Sequence, residues 1–375
     1  MEPVKGFRDF SGKEAEKRAE IMRLIAGTFE KYGFETVETP IIESEEFVVG
    51  ENKYDEAVRD VFRLQDRGKR KLALRYEFTF QLKRLAKNKK LPYKRYQIGY
   101  NFRDEPVREG RTRQFVQCDA DIVGSTTKDE AETLAMASEI LENLGIEFTI
   151  LINNRKLLNE ILDDLKIKKN REQVLRELDK IGKQTQQETQ NALSKLGARN
   201  LLEAINRGER YFVKFDSYKE VVSLMDYCKT YGVKVKFAPS LVRGLSYYNG
   251  TVIEFWSKNL GVSICGGGSY LVNGIQSTGI SLGLEPLMVL EKFKKEKEKT
   301  LVISLEQDKE AIKLANKLRV RGEIVGLYYG KPSRALDYAN SYGFQKVVFV
   351  GKKEVKAKKF KVKDMRTGKE SVLKI

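Results

Sequence analysis

The sequence predicts an α+β fold: an antiparallel sheet flanked by helices, a helical insertion that interrupts it, and a small C-terminal α/β domain. Three observations predict this. Strands in the first half come as hairpins, with few βαβ units between them. A polar stretch of purely helical periodicity follows. The last part alternates strand and helix. A chain of 375 residues has room for two or three such domains.

The elements follow in order. From Glu14 to Tyr32, the residues Ile21, Leu24, Ile25 and Phe29 form one helical stripe, and Gly33 supplies the stop. Phe34 to Pro40 alternates in part and reads as a strand. Val61 to Leu64 and Lys71 to Arg75 flank the turn Asp66-Arg67-Gly68-Lys69. Tyr93 to Phe102 and Gln114 to Val123 make a second strand pair, joined by the charged loop Arg103 to Arg113. Beyond Asn154 the chain turns helical: Leu157, Leu158, Ile161, Leu162 and Leu165 share one face, and Val174, Leu175, Leu178 and Ile181 another.

Strands resume at Leu241 and Thr251. Gly261 to Gly268 ends in a glycine-rich bend, and a helix runs from Glu285 to Phe293. A charged linker, Lys294 to Lys299, leads to a βαβαβ segment. Its strands are Leu301 to Leu305, Ile324 to Tyr328 and Lys346 to Val350; its helices are Lys309 to Val320 and Ser333 to Tyr342. The expected boundaries are 1–153 and 237–293 for the two parts of the main domain, 154–236 for the insertion, 294–299 for the linker and 300–375 for the C-terminal domain.

Composition narrows the chemistry. Hydrophobic residues make up 41%, enough for packed cores. No apolar run approaches the roughly 20 residues of a membrane helix. The first residues, Met1 to Gly6, lack the apolar stretch of a signal peptide. Cys118, Cys228 and Cys265 lie far apart, without a CxxC pair, which fits reduced thiols in the cytoplasm. The net charge is +17, and between Thr300 and Ile375 there are 18 basic and 8 acidic residues, which favours a polyanionic partner. Histidine is absent, so a histidine base, nucleophile or metal ligand is excluded. Carboxylates, arginines, hydroxyls and bound ions are left to carry any reaction.

The motifs supply the rest. Phe102-Arg103-Asp104-Glu105 ends one strand, and Arg111-Thr112-Arg113-Gln114-Phe115 begins its return. A guanidinium projecting from a rigid strand offers a two-pronged fork to a phosphate. This hairpin resembles motif 2 of class II aminoacyl-tRNA synthetases. Four further stretches narrow the resemblance to histidyl-tRNA synthetases: Leu241-Val242-Arg243-Gly244-Leu245-Ser246-Tyr247-Tyr248, Leu74-Arg75-Tyr76-Glu77-Phe78-Thr79, Gln117-Cys118-Asp119-Ala120-Asp121-Ile122 and Lys5-Gly6-Phe7-Arg8-Asp9-Phe10. Tyr32-Gly33-Phe34 to Pro40 resembles motif 1. The third of the four takes the form found in archaeal and eukaryotic members.

That resemblance implies a catalytic sheet, a C-terminal domain of the anticodon-binding type, and the substrates ATP, histidine and tRNA(His), with Mg2+ on the ATP. It assigns Arg103, Glu105, Arg113 and Arg243 to ATP, with Arg103 and Arg243 at the α-phosphate and Glu105 at the adenine side. Glu77, Thr79 and Gln117 would receive the amino group of histidine; Asp121 and Tyr248 would bracket the imidazole nitrogens, and Tyr247 would line the pocket. Motif 1 implies a homodimer. Four positions depart from the family pattern: Pro286 stands where motif 3 has arginine, Ser269 and Leu271 replace the arginine and the aspartate of a Gly-Gly-Arg-Tyr-Asp stretch, and Ser246 replaces an aspartate. Such replacements leave a second role open, a non-catalytic paralogue that binds histidine or ATP and regulates; the basic C-terminal domain favours the ligase.

Overall fold

Helix α1 (Gly12–Lys31) forms because its apolar residues recur every fourth position: Ile21, Ile25 and Phe29 are fully buried. Each contributes roughly 1.5–3 kcal/mol by leaving water. The computed structural model describes residues 1–50, 56–107, 110–181, 184–243, 247–257, 259–292 and 298–373. These belong to two units, Met1–Phe293 and Lys294–Ile375.

In the first unit, β1 (Glu35–Thr36) precedes a small antiparallel sheet of β2 (Ile42–Ser44), β3 (Arg63–Gln65) and β4 (Lys71–Leu74). Short helices α2 (Glu45–Val49), α3 (Glu56–Arg59) and α4 (Leu82–Leu85) surround it in sequence. The long hairpin is β5 (Tyr93–Phe102) with β6 (Gln114–Val123), paired over its full length as the sequence predicts. Next come α5 (Thr127–Asn143), started by the Thr126 N–H donating to Asp129 Oδ2 at 2.7 Å, and β7 (Thr149–Asn154). Helices α6 (Arg155–Asp164), α7 (Arg171–Leu178), α8 (Gln186–Lys195), α9 (Leu201–Ile205) and α10 (Tyr218–Thr230) carry the chain to β8 (Val235–Phe237). The unit closes with β9 (Tyr248–Ser257), β10 (Val262–Val272), β11 (Ile275–Gly283) and α11 (Leu284–Leu290).

Eight strands form one sheet in the order β1-β5-β6-β11-β10-β9-β7-β8. Only the edge pairs β1/β5 and β7/β8 are parallel; the rest is antiparallel, as predicted. Strand alternation divides its faces. On β6, Val116, Cys118, Ala120 and Ile122 point into a core shared with α1 and α5, leaving Gln117, Asp119 and Asp121 on the opposite face.

Four local expectations change. Strand pairing in motif 1 is confined to Glu35–Thr36, with the Val37 N–H still donating to Tyr96 O at 2.9 Å; Pro40, which has no N–H, lies beyond the pairing. Leu241 lies outside any strand, and β9 begins only at Tyr248. The glycines 266–268 sit inside β10 rather than in a bend. Strands β7, β8 and β11 are additions to the expected set: β7 carries a run rich in β-branched residues, Thr149 to Ile152, whereas in β11 Ser277, Thr278, Gly279 and Ser281 dilute the apolar alternation. Helix α11 ends at Leu290, whereas Gly244, Leu245, Ser246 and the linker residues 294–297 lie outside the described residues.

The second unit has β12 (Lys299–Ser304), α12 (Asp308–Val320), β13 (Ile324–Tyr329), α13 (Pro332–Ser341) and β14 (Lys346–Val350), the predicted βαβαβ order. Beyond it, α14 (Lys352–Ala357) precedes β15 (Lys361–Asp364) and β16 (Glu370–Val372), which extend the sheet antiparallel in the order β13-β12-β14-β15-β16. Pro332 starts α13, where its fixed φ and missing N–H cost nothing.

Candidate active site

The open face of the large sheet is organised in cross-strand rows. One row pairs Arg95 with Asp121 and Asp121 with Gly279, and Gly279 faces Gly268. The next runs Gln97, Asp119, Ser281, Gly266 and Glu254. Glycines make this floor low. A Cβ on Gly279 would lie 2.0 Å from Asp121 Oδ1, and one on Gly266 would lie 2.5 Å from Arg243 Nη1. Neither position tolerates a side chain without moving a charged group.

Arg103 leaves the end of β5, where its Nε donates to Tyr76 O at 3.1 Å and its guanidinium lies 5.1 Å from the Phe115 ring centre. One nitrogen is thereby spent on orientation, and both Nη groups lack a hydrogen bond to described residues. Arg243, on the loop before β9, reaches Glu254 Oε1 at 3.4 Å, while its Nε is buried without a partner. Glu105 pairs with Arg111 at 3.5 Å. Arg113 turns toward Asp104 at 3.0 Å and packs its stem against Gly6.

The other predicted residues gather in the floor and one wall. Glu77 is buried beyond β4, with Thr79 two residues on, and the Tyr247 hydroxyl reaches Glu77 Oε2 at 3.5 Å. Tyr247 and Tyr248 lie with ring centres 4.7 Å apart, and Tyr270 closes the group at 5.5 Å from Tyr247. Gln117 accepts from Asn101 Nδ2 at 2.7 Å and donates to Ser281 Oγ at 2.7 Å. Asp121 pairs with Arg95 at 2.7 Å and accepts from the Tyr270 hydroxyl.

Burial governs the electrostatics. It pushes Asp119 up to about 7, helped by the neighbouring Asp121 charge and opposed by Ser281, Arg95 and Arg103. Asp121 is also raised by burial, with Arg95 and Tyr270 pulling the other way. The Tyr270 hydroxyl stays protonated, because burial and Asp121 both raise it.

Sequence reasoning gave no role to Arg95, Asp119, Ser281 or Tyr270. Asp119 was findable: it falls between Gln117 and Asp121 on the same strand face. Arg95 and Tyr270 needed the pairing register. Two replacements gain a physical account. Ser269 is buried and donates to the buried Glu130, so a small hydroxyl fits where a long cation would have to displace its surroundings. Pro286 occupies the first turn of α11 beside Glu285, which pairs with Arg18 at 3.0 Å and accepts the Val116 N–H at 3.1 Å.

Arginines aimed across a glycine floor, on a sheet that is antiparallel except at its edges, suit the phosphates of a nucleotide, and in this form the chain is a class II aminoacyl-tRNA synthetase. The family model for histidyl-tRNA synthetase matches residues 6–287, and that for an anticodon binding domain matches residues 297–375. The chain belongs to the histidyl-tRNA synthetase family. A histidine–tRNA ligase 1 of Bacillus cereus is 34% identical over 99% of this chain and 96% of its own length. A histidine–tRNA ligase of Clostridium acetobutylicum is 31% identical over 99% and 97%. Among solved structures, the histidyl-tRNA synthetase of Nostoc sp. PCC 7120 superposes with a TM-score of 0.86 at 24% identity, covering 99% of this chain and 96% of that one.

Proposed function

We propose that the chain is a histidine–tRNA ligase. The histidine carboxylate attacks the α-phosphorus of ATP, pyrophosphate leaves, and the histidyl group then passes to tRNA(His) with release of AMP. The observation that carries this is one open face holding both an acid–tyrosine pocket (Asp121, Tyr248, Tyr270) and two arginines (Arg103, Arg243), in a chain of this family.

The attacking carboxylate is already an anion, so no general base is required, which suits a chain without histidine. Arg103 and Arg243 stabilise charge developing at the α-phosphate from two sides. Glu105 and Arg113 hold the rest of ATP. Glu77, Thr79 and Gln117 take the α-ammonium group. Asp121 and Tyr248 read the two ring nitrogens, with Tyr247 against the ring. Among the described residues no cluster of three acids or cysteines could hold a metal, so Mg2+ would travel on the outer phosphates of ATP, coordinated by their oxygens and water.

ATP–pyrophosphate exchange with each of the twenty amino acids tests the first half-reaction. Exchange with histidine alone is the expected result; exchange with none, or with another amino acid, refutes the proposal. Asp121→Ala raises the KM for histidine roughly 10–100-fold and leaves kcat at saturating histidine within a few-fold, because the lost contact exists before the transition state. An unchanged KM would remove Asp121 from the imidazole site.

The C-terminal unit is proposed to hold the anticodon arm. Truncation after residue 293 weakens tRNA(His) binding and flattens its dependence on salt, since fewer phosphate contacts release fewer counterions. Histidine adenylation survives in the truncated chain. Filter binding at two salt concentrations checks this, and equal affinity for both forms would contradict it. The proposal also includes a cytoplasmic homodimer whose contact involves the C-terminal end of α1 and the segment to Pro40. Light scattering at micromolar concentration gives twice the chain mass if so, and the monomer mass if not.

A further inference from the structure

We infer that Arg95 is a positioning residue that sets the charge state of the bound amino acid: by supplying the counter-charge to Asp121, it makes the pocket select histidine with a neutral imidazole. The inference rests on histidine being the substrate.

Arg95 lies on β5 directly opposite Asp121 of β6, fully buried, with its Nη2 2.7 Å from Asp121 Oδ2 and 2.9 Å from Phe78 O. Its Nε and Nη1 are buried without a hydrogen-bond partner. A pair of this kind is a poor way to stabilise a fold, because desolvating both ions offsets their attraction and apolar replacements are often as stable. Two unused buried donors add to that cost. A role in ligand binding accounts for a pair that folding alone does not favour.

The alternative counter-charge is the ligand itself. A buried carboxylate lacking Arg95 would take its proton or its cation from an incoming imidazole, whose ordinary pKa of about 6.5 makes that easy. With Arg95 in place the pair is neutral, and the ring need only donate one N–H to Asp121. Among the described residues, the other groups facing Asp121 do not supply the charge. Tyr270 from β10 donates a neutral hydroxyl, Tyr248 from β9 is a phenol, and Asp119 on the same strand and Glu77 beyond β4 are acids. Gly279 of β11 contributes no side chain.

The proposal concerns the charge of the bound ring, which nitrogen NMR reads from ring-15N-labelled histidine bound to the full chain, independently of any proton that Asp119 takes up or gives. In the parent the bound ring stays neutral from pH 8 down to pH 6, although roughly three-quarters of a free imidazole of pKa about 6.5 is protonated at pH 6. In Arg95→Met the ring bound at pH 6 is imidazolium, paired with the Asp121 carboxylate, and the affinity falls roughly 10–100-fold. Arg95→Lys restores the neutral ring. A neutral ring bound to Arg95→Met at pH 6 would overturn the inference. So would an imidazolium bound to the parent at pH 6, a result that stands even if Arg95→Met fails to fold. A parent that binds no histidine at either pH would instead bring down the proposed function on which the inference rests.

Discussion

Arg103→Ala and Arg243→Ala each slow histidyl-adenylate formation by about 10²–10³-fold while changing the KM for histidine little. Both guanidinium groups are oriented before any ligand arrives. Arg103 is fixed by Tyr76 O and the Phe115 ring, and Arg243 by Glu254 above Gly266. A group held in place beforehand pays little reorganisation as charge grows at the α-phosphate, so its loss falls on the rate. Arg103→Lys recovers only part of the activity, because a point charge cannot reproduce the two-pronged contact. Single-turnover measurement of adenylate formation reads the step directly. A mutant that raised the KM for histidine while keeping the rate would place that arginine at the amino acid instead.

The second large effect comes from a methyl group. Gly279→Ala is expected to abolish histidine activation at ordinary substrate concentrations. The added Cβ would lie 2.0 Å from Asp121 Oδ1 and 3.0 Å from the Tyr270 hydroxyl, inside a sheet that cannot spread without breaking its ladder on both sides. Asp121 must swing away or the strands must part, at a cost of roughly 1–3 kcal/mol in stability. Gly27→Ala is the control. Gly27 lies exposed within α1, where a Cβ meets nothing within 4 Å, so alanine there raises stability by up to about 1 kcal/mol. Thermal melting and histidine titration of the two variants separate these outcomes. A Gly279→Ala enzyme with the parent's histidine KM would mean that Asp121 is free to move without consequence.

The legible parts of this chain were those whose signal is local. The β5/β6 hairpin was readable because its apolar positions alternate cleanly and arginines crowd the loop between. Helix α1 was readable from its four-residue spacing. Motif order pointed to Arg103, Gln117, Asp121 and Arg243 before any pairing was known. Helix α5 carries a local start signal, Thr126 with Asp129, yet no expectation covered it; most of the rest that stayed hidden depended on register. Nothing near Arg95 in sequence announces a buried ion pair; only its position opposite Asp121 does. Glycines 266–268 looked like a bend because glycine usually marks one, yet Gly266 lies beneath the Arg243 guanidinium. Strand β11 escaped because the small and polar residues that open the floor also erase its hydrophobic pattern.

Transfer to tRNA tests the central claim most directly. The full chain is incubated with ATP, Mg2+, labelled histidine and tRNA(His) transcript, and histidyl-tRNA is resolved by acid gel. The account predicts histidyl-tRNA that depends on ATP and on the tRNA(His) sequence, formed even though proline occupies position 286. Absence of histidyl-tRNA from an enzyme that binds histidine and ATP would contradict it, and would make the chain a histidine-binding relative of the ligases rather than one of them.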